Sequence, residues 1–362
     1  MLLVLFMLLL AGCRAPGSTR PLVKLGLQAP FEGLHRPLGY EVLYAVKLAI
    51  RERNEAGGVA GWGVELVALD DGLDPEEARR AAEKMAIDKG IMGVIGPFSA
   101  ATADAATPVW TRAALPWIAV GPVGEATLSA SRPYGFRLFA SDAALAEAIG
   151  SYVRAQARAR RPALVRIGND DLAEAMAAAL SRQGLTLVAD MVWDEPAWDA
   201  LRAADADLVI VIGSVEGVAD FMVEARGRGI QTPVVSGPEV GRDILWQRAG
   251  AAAEDLVWVS SMADVSGLAL PASFVEGYRA LAGKEPGPYA VLAYDATQIL
   301  LDALADDIHH GAGPSRRGVA GVLSATHHRG LVGAISFTPE GGWSSAPVHV
   351  YRVSSGNLFI TP

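Results

Sequence analysis

The sequence predicts an α/β protein made of two doubly wound units. Three observations predict it. Short β-branched runs alternate with longer stretches of helical apolar spacing between Val23 and Val353. Most of these runs end in a Gly, Pro, Asp or Ser turn, with no low-complexity tract and no short repeat between them. The chain has 362 residues, 51% of them hydrophobic, which is ample for two cores.

In chain order, a strand is expected over 23–27, followed by a loop to residue 37. A helix then runs to about residue 54, because Val42, Leu43, Val46, Leu48, Ala49 and Ile50 recur at helical spacing, and Gly57-Gly58 stops it. A strand over 64–69 ends in Asp70-Asp71; Asp74-Pro75 offers an N-cap and a first-turn proline for a helix to residue 89. The apolar run Ile91–Ile95, bounded by Gly90 and Gly96, suits a buried parallel strand. Pro97 ends it, since it donates to no ladder and biases Gly96 away from the helical region. Ser99 is placed to cap a helix that opens in the run 100–106. Such a strand–turn–helix aims unpaired backbone N–H groups at the strand's carboxyl end, where a carboxylate is favoured. A strand over 115–120 makes four strands alternating with three helices. Right-handed crossovers fold these into one parallel sheet.

A strand over 136–139 leads to Ser141-Asp142, an N-cap for a helix reaching about residue 158. Strands over 163–167, 185–192, 208–212, 234–236 and 256–260 then alternate with helices over 172–182, 198–204, 215–227 and 242–249. Helices over 271–282, 289–308 and 315–325 follow, and strands over 335–337, 348–353 and 358–360 close the chain without helices between them.

Composition excludes several functions. A formal charge of -9 and an isoelectric point near 5.2 are wrong for binding nucleic acid. The basic cluster between Arg154 and Arg161 sits at an expected helix C-terminus, where cations complement the dipole. The first strand's Leu25-Gly26-Leu27-Gln28-Ala29-Pro30 lacks the Gly-x-Gly-x-x-Gly of a dinucleotide-binding dehydrogenase. Gly213-Ser214 is not a nucleophile elbow, because its serine directly follows the glycine. The pairs His309-His310 and His327-His328 lack spaced acidic or cysteine partners, so no metal is expected. Trp62 and Trp343 lie in Gly-rich turns and read as packing or rim residues.

Residues 1–10 are almost entirely Leu, Val, Phe and Met, too short to span a bilayer and of signal-peptide length. Leu10-Ala11-Gly12-Cys13 looks like a bacterial lipobox, although no Lys or Arg precedes the apolar run. Residues 1–12 are read as signal peptide and 13–21 as a tether lipidated at Cys13. Cys13 is the only cysteine, so the fold holds no disulfide and no cysteine-based metal site.

Six signals stand in a familiar order. They are Asn54–Gly61 (NEAGGVAG), Asp70-Asp71 with Asp74-Pro75, Gly96-Pro97-Phe98-Ser99, Ser236-Gly237-Pro238-Glu239, Tyr289–Ala296 (YAVLAYDA), and Val332-Gly333 with Phe337–Gly341 (FTPEG). Together they resemble the type I periplasmic-binding-protein family, in its branched-chain amino-acid (leucine/isoleucine/valine) ABC-transporter subgroup. The resemblance spans about Val23 to Val353. It implies two Rossmann-like lobes joined by three hinge crossings, near 138–142, 258–263 and 335–338. The N-terminal lobe would take 22–140 plus 264–335, and the C-terminal lobe 141–263 plus 336–362.

The implied function is capture of a small amino-acid-like molecule between the lobes for an ABC importer. The partners would be a membrane-embedded permease and, through the lipid on Cys13, the outer face of a membrane. No cofactor and no catalysis are implied. A ligand-sensing or scaffold lipoprotein without a transporter would carry the same sequence features.

In amino-acid-binding members, backbone N–H groups and hydroxyls of two first-lobe loops hold the ligand's carboxylate, and an acidic residue of the second lobe holds its ammonium. Glu239 falls on that acidic position, where the plain alternative is a solvated carboxylate. The ligating serine falls on Ala100, beside Ala101 and between Ser99 and Thr102; Ser99 is equally well read as a helix cap. The second loop's Ala-Thr pair falls on Pro122-Val123, after Gly121, and leaves no hydroxyl. Aromatic positions fall on Leu38, Leu172 and near Ser214, while Tyr289 keeps one. Each lost hydroxyl partner of an ionic ligand costs roughly 1.5–3 kcal/mol, and two losses weaken a zwitterion by about a hundredfold or more. An amide, a less polar compound or an amine without a carboxylate fits as well as an amino acid.

Overall fold

Two parallel sheets carry the chain, and each is wound in the same order. The computed structural model describes residues 20–360 apart from 156, 169–170, 195–196, 263 and 355–356; the expected leader, Cys13 and most of the tether lie outside the described residues. The first lobe runs β1 (Leu22–Ala29), α1 (Arg36–Glu55), β2 (Gly63–Asp70), α2 (Pro75–Ile87), β3 (Ile91–Ile95), α3 (Ala100–Arg112), β4 (Trp117–Ala119), α4 (Glu125–Ala130) and β5 (Gly135–Arg137). Its sheet has the order β2-β1-β3-β4-β5, parallel throughout.

The second lobe runs α5 (Asp142–Ala155), β6 (Pro162–Ile167), α6 (Asp171–Arg182), β7 (Ala189–Val192), α7 (Ala197–Ala204) and β8 (Leu208–Gly213). It continues through α8 (Val215–Gly227), β9 (Val234–Ser236), α9 (Asp243–Ala249) and β10 (Val257–Ser260). Its parallel strands repeat the winding as β7-β6-β8-β9-β10. Strands β13 (His349–Ser354) and β14 (Asn357–Ile360) add to that sheet's β10 edge, antiparallel. In this winding the chain reverses direction beside β1 and β3, and again beside β6 and β8. Crevices open there at the strands' carboxyl ends.

Helices α10 (Ala272–Ala282), α11 (Pro288–His310) and α12 (Arg316–Leu323) return to the first lobe, where α10 and α11 pack on α1 and α12 packs near β3. The Arg316 side chain fixes that return. It donates from Nε to Ile91 O (2.9 Å) and from Nη2 to Asp88 O (2.7 Å), while Nη1 reaches Ala113 O (3.1 Å). Burial lowers its pKa, against the pull of Asp88.

Most of the recurring motifs are scaffold. Asn54 clamps the start of β2, accepting from Val64 N (2.9 Å) and donating to Val64 O (2.8 Å). Gly58 has φ +84°, and a Cβ there would stand 1.9 Å from Trp62 O. Asp74 caps α2 by accepting from Glu76 N and Glu77 N, both at 2.9 Å. Asp295 accepts from Leu331 N (2.8 Å) and Val332 N (3.1 Å), joining the long-helix motif to the late-turn motif. Burial pushes its carboxyl up to about 6 despite those two donors.

The structure differs from expectation most clearly in five places. The strand expected over 185–192 is confined to Ala189–Val192. Residues 125–130 form α4, which six residues were too few to announce by periodicity. His327 and His328 lie in β11 (His327–Gly330), paired with β12 (Gly333–Ser336) in a two-stranded hairpin. The helix expected to reach residue 158 ends at Ala155, and Arg158 has φ +52°. The third passage between the sheets falls at 344–348 rather than 335–338, so 336–343 stay with the first lobe. Arg137 N donates to Gly341 O (2.8 Å) and Trp343 N to Arg137 O (3.0 Å), a close approach that needs Gly341, whose Cβ would stand 2.2 Å from Gly135 O. The other passages lie at 138–141 and just after Ser260. All three meet at Ser261, whose Oγ accepts from Ala140 N and donates to Pro347 O, both at 2.7 Å.

Candidate functional site

The carboxyl ends of the two sheets face each other across a cavity of about 340 Å³. Its first-lobe wall is the N-terminal turn of α3, with Ser99, Ala100, Ala101 and Asp104, and the turn after β4, with Pro122 and Gly124. Asp142 stands at a crossing. The second-lobe wall comes from the ends of β6, β8 and β9. It presents Asp171 and Leu172, then Ser214 and Glu216, then Glu239 and Arg242.

The turn at Gly96 (φ +118°) needs glycine, because a Cβ there would meet Gln28 O at 2.6 Å. Beyond it, Ser99 Oγ accepts from Thr102 N (3.3 Å) and pairs with Thr102 Oγ1 (2.9 Å), so it caps α3. Ala100 N donates at 3.4 Å to Glu239 Oε1, from the opposite lobe. Glu239 Oε2 accepts from Arg242 Nη2 at 2.9 Å, and the same Nη2 donates to Phe98 O at 3.2 Å. Burial opposes the Arg242 charge, but Tyr289, Glu239 and Glu216 outweigh it and raise its pKa. Burial raises the pKa of the Tyr289 phenol, against the pull of Arg242.

Two more contacts cross the cleft. His35 Nε2 lies 2.7 Å from Glu216 Oε1, and the hydrogen bond from His35 lowers the Glu216 pKa. Asp171 leans against the first lobe at Gly124, where a Cβ would stand 2.3 Å from its Oδ2. Asp104 accepts from Thr127 Oγ1 at 2.5 Å.

Of the residues singled out in the sequence, Ser99, Ala100, Ala101, Leu172, Ser214 and Glu239 stand on this wall. Thr102 is fully buried behind Ser99. Val123 is buried in the hydrophobic cluster under β4, its carbonyl held by Arg137 Nη1 at 2.5 Å. Gly121 is pressed against the Phe98 backbone, Leu38 packs in the α1 core, and Tyr289 lies behind the wall with its ring 6.4 Å from Phe98. Sequence reasoning missed Arg242, His35, Glu216, Asp142, Asp171 and Asp104. The signal available for Arg242 was its place three residues after Glu239.

The cavity wall carries two serines, Ser99 and Ser214. Its hydroxyls cap helices: Ser99 binds Thr102, and Ser214 Oγ accepts from Gly217 N at 3.2 Å. Among the described residues, no group of three or more His, Cys, Asp or Glu side chains is arranged to hold a metal. Nor is any described helix long and apolar enough to cross a membrane.

Known proteins share this architecture. The Leu/Ile/Val-binding protein homolog 7 of Brucella melitensis is 25% identical over 321 residues, covering 82% of this chain and 79% of that protein. The amino acid binding protein of Pseudomonas aeruginosa is 25% identical over 291 residues, 78% of each chain. The branched-chain amino-acid transporter substrate-binding protein of Streptococcus pneumoniae, solved with isoleucine, superposes with a TM-score of 0.79 at 23% identity. That match covers 94% of this chain and 99% of the other. The family model described as periplasmic binding protein matches residues 22–357. With its two equally wound sheets and the cavity between them, the chain belongs to the periplasmic binding protein family.

Proposed function

We propose that this protein is the substrate-binding component of an ABC importer of the branched-chain amino-acid type, working outside the cytoplasm. The observation that carries the reading is the cavity itself, closed by residues of both lobes at the two switch points. Closure around a solute is a hinge motion about the three passages, stabilised by contacts the solute makes with both lobes at once. Ser99, Ala100, Ala101, Leu172, Ser214 and Glu239 are the proposed contacts from the sequence, joined by Arg242. The ligand class is an amino acid or a related small molecule, in keeping with the names of the relatives. A permease in the membrane receives it, and a lipid on Cys13 tethers the protein nearby.

The test is a thermal-shift screen of a soluble form beginning after Cys13, unfolded and refolded to strip carried-over ligand. Amino acids, amides, polyamines and small aromatic acids make up the panel. A true ligand at a hundred times its dissociation constant adds about 2.7 kcal/mol, a rise of several degrees in Tm. Silence across the whole panel would overturn solute capture of this class and favour a sensing or scaffold role for the same fold.

A further inference from the structure

The cavity between the lobes is unevenly charged. Five carboxylates line it, Asp104, Asp142, Asp171, Glu216 and Glu239, against two basic side chains, His35 and Arg242. Both basic groups are already matched: His35 Nε2 lies 2.7 Å from Glu216 Oε1, and Arg242 Nη2 lies 2.9 Å from Glu239 Oε2. Even with His35 counted as charged, three aspartates stand in excess, and no further basic side chain among the described residues lines the cavity. The starts of α3, α6 and α8 offset about half a unit of charge each, so the wall stays negative.

Two of these aspartates come from opposite lobes and flank one turn. Asp171, at the start of α6, leans over Gly124 of the first lobe, where a Cβ would stand 2.3 Å from its Oδ2. Asp104, on α3, accepts at 2.5 Å from the hydroxyl of Thr127, three residues beyond Gly124. Both aspartates are exposed, so a solute in the cleft can reach them. Drawing like charges together as the lobes close is unfavourable, and a cation placed between them reverses the sign. The place that would draw an anion is filled from within, since Ala100 N at the start of α3 donates to Glu239 Oε1 at 3.4 Å.

We propose that the captured solute carries a net positive charge, an ammonium or guanidinium group held between Asp104 of the first lobe and Asp171 of the second, with Asp142 adding to the field. The class is a cationic amine: a diamine, an amino-acid amide or a diamino acid. A neutral zwitterion leaves the excess charge of the wall in place, and a carboxylic acid adds to it. This rests on the solute-binding reading and names the ligand class within it.

The experiment is isothermal titration of the refolded protein with probes paired by shape and separated by charge. Leucinamide is set against leucine, lysine against norleucine, and 3-methylbutylamine against 3-methylbutanol, with putrescine and 4-methylpentanoate as the extremes. The expected result is that the tightest probe is a cation, at least about tenfold tighter than its neutral partner, and that 4-methylpentanoate is the weakest. D171N and D104N each weaken that cation by about tenfold and move the neutral partner by less than about threefold. Added salt weakens the cation and leaves the neutral partner nearly unchanged. A neutral partner as tight as its cation, or both variants within threefold of wild type, overturns the proposal. Should a variant fail to fold, the wild-type ratio of cation to neutral partner and its fall with salt decide it. A hit confined to the polyamines of the wider screen supports the proposal. Binding confined to zwitterions, acids or neutral probes sinks the charge assignment and leaves solute capture standing. Silence from every probe here, and from the wider screen as well, sinks both.

Discussion

The two walls of the cleft are made of different material. The first lobe presents small side chains and backbone, with Ser99, Ala100 and Ala101 at the amino end of a 13-residue helix and Pro122 and Gly124 beside them. Its titratable wall residues, His35 and Asp104, each engage a partner, Glu216 and Thr127. The second lobe presents Asp171, Glu216, Glu239 and Arg242. A helix terminus carries about half a unit of charge and offers it to any anion that arrives. Side chains carry whole charges and discriminate. The comparison teaches that the first lobe offers a generic electropositive seat at a helix start, while the full side-chain charges stand mostly on the second. That Glu239 itself reaches Ala100 N shows how undemanding the seat is.

The contrast can be broken most severely at Glu239. E239A leaves the Arg242 charge buried without its counter-ion and should cost about 3 kcal/mol of stability, read by urea denaturation. A loss under about 1 kcal/mol would mean that Glu216 and Tyr289, not Glu239, carry most of the support for the Arg242 charge.

The first wall can instead be given discriminating chemistry. A100S adds a hydroxyl to the electropositive seat, and an amino-acid ligand should bind about tenfold more tightly in calorimetry. Unchanged affinity would show that the carboxylate does not rest on this turn.

The smallest effect lies in the pair that joins the walls, His35 and Glu216. A carboxyl whose folded pKa is lowered contributes stability above its unfolded value of 4.5, and that contribution is lost as pH falls through the folded value. Wild type should therefore lose thermal stability more steeply than E216Q as the solution is acidified below 4.5, by about 1 kcal/mol for this partly buried pair. Parallel melting curves for the two would remove this contact from the account of closure.

The fold was largely legible because its signals are local. The strand Ile91–Ile95 and helix Val215–Gly227 occur where apolar spacing placed them. What escaped depends on distant partners. His327–Gly330 carries no strand pattern and is a strand only because Gly333–Ser336 pairs with it. The third passage moved because Arg137 captures residues 341 and 343, some two hundred positions later. The site divides in the same way. Loop residues that follow strands, such as Ser99 and Glu239, could be placed by order along the chain. Arg242 could not, since an arginine in a short helix start reads as solvated until Phe98, 144 residues earlier in the chain, is seen to accept from it. Val123 shows the converse: position in a loop does not say which way a side chain turns, and this one is buried with Trp117 and Leu128 while Arg137 holds its carbonyl.

The hydroxyl of Ser261 has a mechanical meaning. Three separate linkers would let one lobe twist, slide and tilt against the other, and a solute would have to find the closed geometry among many. With Ala140 and Pro347 both bonded to that one oxygen, the linkers are bound edge to edge into a narrow ribbon. A ribbon bends easily across its width and resists shear within its plane. Bending across that ribbon is the coordinate along which the proposed closure would run, with Ser261 as the point that ties the three linkers together.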